Sequence, residues 1–130
     1  MSDSLPPQLI EKLLAQCADA VIYADRTGTI RLWNASAEQM FGFPASEALG
    51  QSLDIFIPER LRAAHWAGFD RAMASGRTKH SGRPTRTKAL TRSGETVYVE
   101  MSFAVIAEND GTAIGSLAIG RLVPPAAAIP

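Results

Sequence analysis

The stretch Ile30-Arg-Leu-Trp-Asn-Ala-Ser-Ala-Glu-Gln-Met-Phe-Gly-Phe-Pro44 decides the fold. Ile30 to Trp33 reads as a short strand. Asn34 follows at the point where a strand can turn into a helix, because its side-chain oxygen can accept a backbone N–H from the first helical turn. The spacing predicts a short helix through about Phe41, and Gly42 suits the left-handed residue that ends one. Upstream, residues 20–24 form an apolar run, and Asp25-Arg-Thr-Gly28 is turn chemistry, so the two strands read as a hairpin. Downstream, Pro44 opens a second helical turn containing Glu47, and residues 51–57 make a third short segment closed by Pro58.

Farther from this stretch, residues 59–74 predict the longest helix after the first, stopping before Ser75-Gly76. Leu61, His65, Phe69, Ala72 and Met73 fall on one stripe of it, so His65 belongs to the apolar face. Three strands follow: residues 83–91, which are polar, then 97–107, then 113–122, with turns at Ser93-Gly94 and Asn109-Asp-Gly111. In the middle strand Val97, Val99, Met101, Phe103 and Val105 alternate to one face. At the other end, residues 5–18 read as an amphipathic helix capped by Ser4, with Pro6 and Pro7 in its first turn. Its stripe of Leu9, Ile10, Leu13, Leu14 and Cys17 must be covered by this domain's own sheet or by a second copy of the helix. The sum is an α+β domain: one five-stranded antiparallel sheet, helices over one face, and a pocket between the layers.

The chain has 130 residues, enough for one domain with a real core. Thirteen basic residues balance thirteen acidic ones, which argues against a dedicated nucleic-acid or anionic-membrane surface. Cys17 is the single cysteine, so neither an internal disulfide nor a paired-cysteine zinc site can form. The N-terminus lacks the basic and apolar regions of a secretory signal, and no apolar run reaches membrane-spanning length. A cytoplasmic location is expected. The Pro/Ala-rich tail, residues 124–130, is read apart from the domain at residues 5–123.

The chain resembles the PAS domain family. The matching residues are Asp25-Arg-Thr-Gly-Thr-Ile-Arg-Leu-Trp-Asn34, Ala37-Glu38, Met40-Phe-Gly-Phe43, Glu47, Leu49-Gly50 and the late turn Arg92-Ser-Gly-Glu95. The resemblance implies the PAS fold and a sensory or interaction module instead of an enzyme. Pro58-Glu-Arg-Leu-Arg-Ala-Ala-His-Trp-Ala-Gly-Phe-Asp-Arg71 is further similar to the haem-binding PAS domains of FixL-type oxygen sensors. That resemblance implies a b-type haem with His65 as axial ligand to the iron, Arg71 near a propionate, and Leu61, Phe69, Met101 and Phe103 as apolar walls. A diatomic gas would be the signal. The sequence departs from that branch at Lys79-His-Ser-Gly-Arg-Pro-Thr-Arg86, where Thr85 stands in register with the branch's distal arginine and neither Arg83 nor Arg86 does.

Plainer readings stand beside these. His65 as a hydrogen-bonded structural residue is the first, and His80 reads as an exposed loop residue, with a sixth-ligand role as the alternative. Cys17 lies outside any flavin-reactive motif and reads as a small buried hydrophobe. Trp33-Asn34 reads as a packed indole and a helix cap, and Trp66 as cover for the domain edge or for a dimer contact. Two histidines and scattered glycines support no catalytic constellation. The expected function is therefore a PAS signalling domain that binds a small ligand in its core. The alternatives are a ligand-free module dimerising through the first helix and a PAS core that binds flavin or another small metabolite. A kinase or transcription regulator would be the effector, outside this chain.

Overall fold

A computed structural model of the chain describes residues 5–78 and 82–124. The hairpin forms as read, from β1 (Ala20–Asp25) and β2 (Ile30–Trp33). Its turn is organised by Asp25, whose carboxylate accepts from the Thr27 hydroxyl at 2.6 Å, from the Thr27 and Thr29 N–H groups, and from Arg31 Nε at 2.8 Å. The Thr27 hydroxyl, with help from Arg31 and these N–H groups, holds the Asp25 carboxyl down at about 2.

Asn34 joins three elements at once. Its Oδ1 accepts from Ala37 N–H at 3.0 Å, the expected cap of α2 (Ala35–Phe41), and also from Val21 N–H of β1 at 2.9 Å. Its Nδ2 donates to the Leu14 carbonyl at 2.8 Å and the Asp19 carbonyl at 3.1 Å, which ties down the end of α1 (Pro7–Gln16). All four of its hydrogen-bonding positions are used, as burial of an amide requires. Gly42 ends α2 at φ 81°, where a side chain would be strained.

After α3 (Ala45–Ala48) and a 3-10 turn at Leu53–Phe56, the long helix departs from the single run read from sequence. Glu59–Leu61 is a 3-10 turn, and α4 spans Arg62–Ser75. Strands β3 (Thr85–Leu90), β4 (Thr96–Ala107) and β5 (Ala113–Leu122) complete one antiparallel sheet in the order β2-β1-β5-β4-β3. The core lies between the sheet and the helices. Trp33, Phe41 and Phe56 meet there with ring centroids 5.0–5.8 Å apart, and Trp33 Nε1 donates to the Phe43 carbonyl at 2.9 Å. The indole thus buries its rings without stranding its donor.

Helix α1 differs from expectation in two ways. Pro6 occupies the cap position with no side-chain hydrogen bond, and Ser4, the expected cap, lies outside the described residues. The helix buries none of its residues: Leu9, Ile10 and Leu13 remain 39–55% exposed, while Leu14 and Cys17 are half-buried. The sheet does not cover the stripe. The tail from residue 125 onward also lies outside the described residues.

Candidate functional site

Strand register fixes which side chains face the helices. Directly paired residues of neighbouring strands share a face. Thr87 pairs with Val99, Thr85 with Met101, Phe103 with Ala118, and Val105 with Ser116. Ala118 pairs onward with Ile22, and Ser116 with Ala24. All of these residues line one cavity of about 390 Å³ beneath α4. Lys88 also borders the cavity, while its ammonium lies 5.6 Å from the Tyr98 ring centre.

Helix α4 supplies the opposite wall through Ala64, His65, Gly68, Phe69 and Ala72, the recurrence expected of one helical face. Leu61, Leu53, Phe56 and Ile57 close the side formed by the 3-10 turns. The sheet wall draws on four adjacent strands, roughly 14 Å across at the usual strand spacing. A sphere of the same volume would be only about 9 Å wide, so against strands about 4.8 Å apart the cavity is a flattened slot. Its volume falls in the lower part of the roughly 300–1,000 Å³ range of small-molecule sites.

The six residues singled out from sequence all line this slot: His65, Arg71, Leu61, Phe69, Met101 and Phe103. Phe69 and Met101 are buried, Leu61, His65 and Phe103 half-buried, and Arg71 exposed, so Arg71 stands at the rim. Met101 closes over Gly120, where an added Cβ would lie 2.8 Å from its Cγ. His80 lies outside the described residues.

His65 carries the chemistry of the slot. Its Nδ1 is buried and has no hydrogen-bond partner. Its ring lies 4.7 Å from Trp66 and 6.1 Å from Phe69, centre to centre. Burial pushes its pKa below the ordinary histidine value, with the charge of Asp54 opposing the shift. The imidazole is therefore held towards its neutral form, the form that binds metals. Among the described residues no group of three His, Cys, Asp or Glu side chains could hold an ion. A metal at His65 would have to bring most of its ligands with it, as the iron of a tetrapyrrole does. The slot thus offers one imidazole held towards neutrality, a largely apolar lining and the Arg71 cation at its rim.

Sequence reasoning left three features unread. Trp66, read as cover for the domain edge or for a dimer contact, packs against its own chain: Nε1 donates to Asp54 Oδ1 at 2.7 Å, and the ring sits on Gly28. Asp54, beside both Trp66 and His65, was not singled out at all. The third feature is the set of hydroxyls on the sheet wall, Thr85, Thr87 and Ser116. Period-two alternation with Ala89 and Ala118, both buried, could have found them.

No helix among the described residues is long and apolar enough to cross a membrane. The PAS fold family matches residues 8–123. Among curated proteins, the sensor protein FixL of Bradyrhizobium diazoefficiens is 38% identical over 56 residues, 43% of this chain and 11% of that protein. The chain therefore spans about a tenth of that relative's length. Among solved structures, a PAS domain from Colwellia psychrerythraea superposes with a TM-score of 0.77 at 19% identity, covering 89% of this chain and 95% of that one. A Rhodobacter sphaeroides LOV protein gives 0.73 at 13% identity, covering 92% and 68%. At these identities the two structures speak to the fold alone. The family match over nearly the whole chain, together with the sheet order and the helix-covered slot, makes this chain a member of the PAS fold family.

Proposed function

We propose that the chain is a sensory PAS domain whose slot takes a b-type haem, with His65 as axial ligand and Arg71 as partner for a propionate. The observation that carries this reading is the buried, unpartnered Nδ1 of His65 at a largely apolar cavity. A buried polar nitrogen without a partner costs free energy, and a ligand that engages the ring gives it a use. Bound haem would supply an iron centre able to take a diatomic gas. The protein's own part is to hold the ring neutral, exclude water with Leu61, Phe69, Met101 and Phe103, and place a cation at the rim. The likeness to a FixL sensor protein supports the same reading.

Hemin titration of the purified domain tests it. Wild type should develop a Soret band at one equivalent, His65→Ala should lose it, and Arg71→Ala should bind more weakly. A wild-type domain that takes up no hemin, or a His65→Ala variant that binds it unchanged, would refute the proposal. Flavin is the poorer candidate, because the slot's polar side chains are chiefly hydroxyls and its described lining holds no cysteine, asparagine or glutamine.

A second reading rests on a separate observation. The exposed Leu9, Ile10 and Leu13 of α1 favour pairing with a second copy of the helix, whether or not the slot is filled. On either reading the partner that receives the signal is an effector such as a kinase or transcription regulator, and no role in direct nucleic-acid or membrane binding is proposed.

A further inference from the structure

Trp66 is fastened in a way that packing alone does not require. Its Nε1 donates to Asp54 Oδ1 at 2.7 Å, reaching from α4 to the 3-10 turn at Leu53–Phe56. A bond from an indole N–H to a carboxylate is of the stronger, charge-assisted kind. The ring also covers Gly28, which is buried although its turn neighbours Arg26 and Thr27 are exposed. The Gly28 carbonyl accepts from the Leu53 N–H at 3.1 Å, so the hairpin turn and the 3-10 turn form one seat for the indole.

His65 is fixed differently. Its Nδ1 has no hydrogen-bond partner, so no bond at that atom sets the ring's orientation. Aromatic rings meet it instead. Trp66 stands edge-on at 4.7 Å with 77° between the planes, and Phe69 lies at 6.1 Å and 36°. Trp66 and Phe69 also meet edge to face, at 5.2 Å and 73°. Of the two rings that meet the imidazole, only the indole carries a donor that can fasten it to another element.

We propose that Asp54 and Trp66 are positioning residues of the slot: the carboxylate fixes the indole, and the fixed indole holds the His65 ring against the cavity. The inference rests on the reading that His65 is the group that meets a ligand, but not on that ligand being haem. A site works best when such a group is oriented before its ligand arrives. Arg62 supplies the contrast. It donates to the Ile57 carbonyl at 3.0 Å and to the Asp54 carbonyl at 3.2 Å, tying the same helix to the same turn without going through the indole.

Diethyl pyrocarbonate, which acylates neutral imidazole, reads the ring in the ligand-free domain. Peptide mass mapping separates His65 from His80, the other histidine of the sequence, which serves as the reference. Trp66→Phe keeps an aromatic ring but has no N–H, and Asp54→Ala has no acceptor. Each should raise the ratio of the His65 rate to the His80 rate by about fivefold, the scale of one hydrogen bond. Asp54→Asn keeps an acceptor oxygen without the charge, and its ratio should stay near wild type. Arg62→Ala should also keep the wild-type ratio while its melting temperature falls. All ratios are read well below the melting transition. If Asp54→Ala fails to fold, Trp66→Phe and Asp54→Asn carry the test. An unchanged ratio in Trp66→Phe, a raised one in Asp54→Asn, or equal acceleration in Arg62→Ala would overturn the inference. Hemin titration keeps the two proposals apart. A wild type that takes up no hemin, with the ratio raised in Trp66→Phe, sinks the haem reading alone. A wild type that binds hemin through His65, with the ratio unchanged in Trp66→Phe, sinks this one alone.

Discussion

Replacing Asn34 by alanine should be among the most damaging single changes outside the slot. Asn34 is only 7% exposed, and its four hydrogen bonds reach α1, β1 and α2. Loss of the cap on α2 costs about 1 kcal/mol. The Val21 N–H, also buried, is left without a partner, which adds about 2 kcal/mol. The carbonyls of Leu14 and Asp19 are reached from a less buried side and can turn to water, so they add little. The sum is about 3 kcal/mol, which for a domain of this size lowers the melting temperature by about 12 °C. Asn34→Ser separates the contributions, since serine caps a helix as well as asparagine but is too short to hold both Ala37 and Val21. It should recover about 1 kcal/mol of the loss in urea unfolding. A loss below about 1 kcal/mol for Asn34→Ala, or a serine variant as stable as wild type, would mean that Asn34 is a helix cap and nothing more.

Further outcomes follow from the same structure. Gly28→Ala should cost about 3 kcal/mol, combining left-handed strain with overpacking, because the new Cβ would overlap the Trp66 ring at a φ of +81°. Gly50→Ala, at φ +87° with nothing within 4 Å, should show only the strain, about 1–2 kcal/mol, and equal losses at the two sites would count against the Trp66 contact. His65 has a folded pKa below its unfolded value, so the unfolded chain binds more protons near pH 6 and stability should fall as pH drops below about 6.5. His65→Leu should flatten that part of the urea-midpoint profile, and an unchanged slope would place the ring in water. Changing Leu9 and Leu13, both exposed within the chain, together to glutamate should leave the domain folded and convert a dimer to a monomer in light scattering. A dimer that persists would place its interface elsewhere.

How much of this was legible in the sequence depended on the range of each interaction. The hairpin, the Asn34 cap and the Gly42 stop are settled within a few residues, and each was readable from local chemistry. The inward stripe of α4 and the inner face of β4 obey simple periods, so the walls of the slot were readable too. What escaped was contact between distant segments. Nothing near Trp66 reveals that its indole rests on Gly28, and nothing near Asn34 reveals that its amide nitrogen reaches the Leu14 carbonyl. The break between the 3-10 turn at Glu59–Leu61 and α4 escaped because no proline or glycine marks it. The coverage of α1 was left open in the sequence, and within the chain Leu9, Ile10 and Leu13 of its stripe stay exposed while Leu14 and Cys17 are half-buried.

The first and last strands of the sheet lie side by side at its centre, with Ala20 directly opposite Gly120. The polypeptide therefore enters and leaves the sheet at nearly the same point. Such a unit can be spliced between two other modules, or into a surface loop of a host, like a bead with both threads leaving through one hole. A distortion of the sheet at that point would displace the segment before β1 and the segment after β5 together, as a single movement.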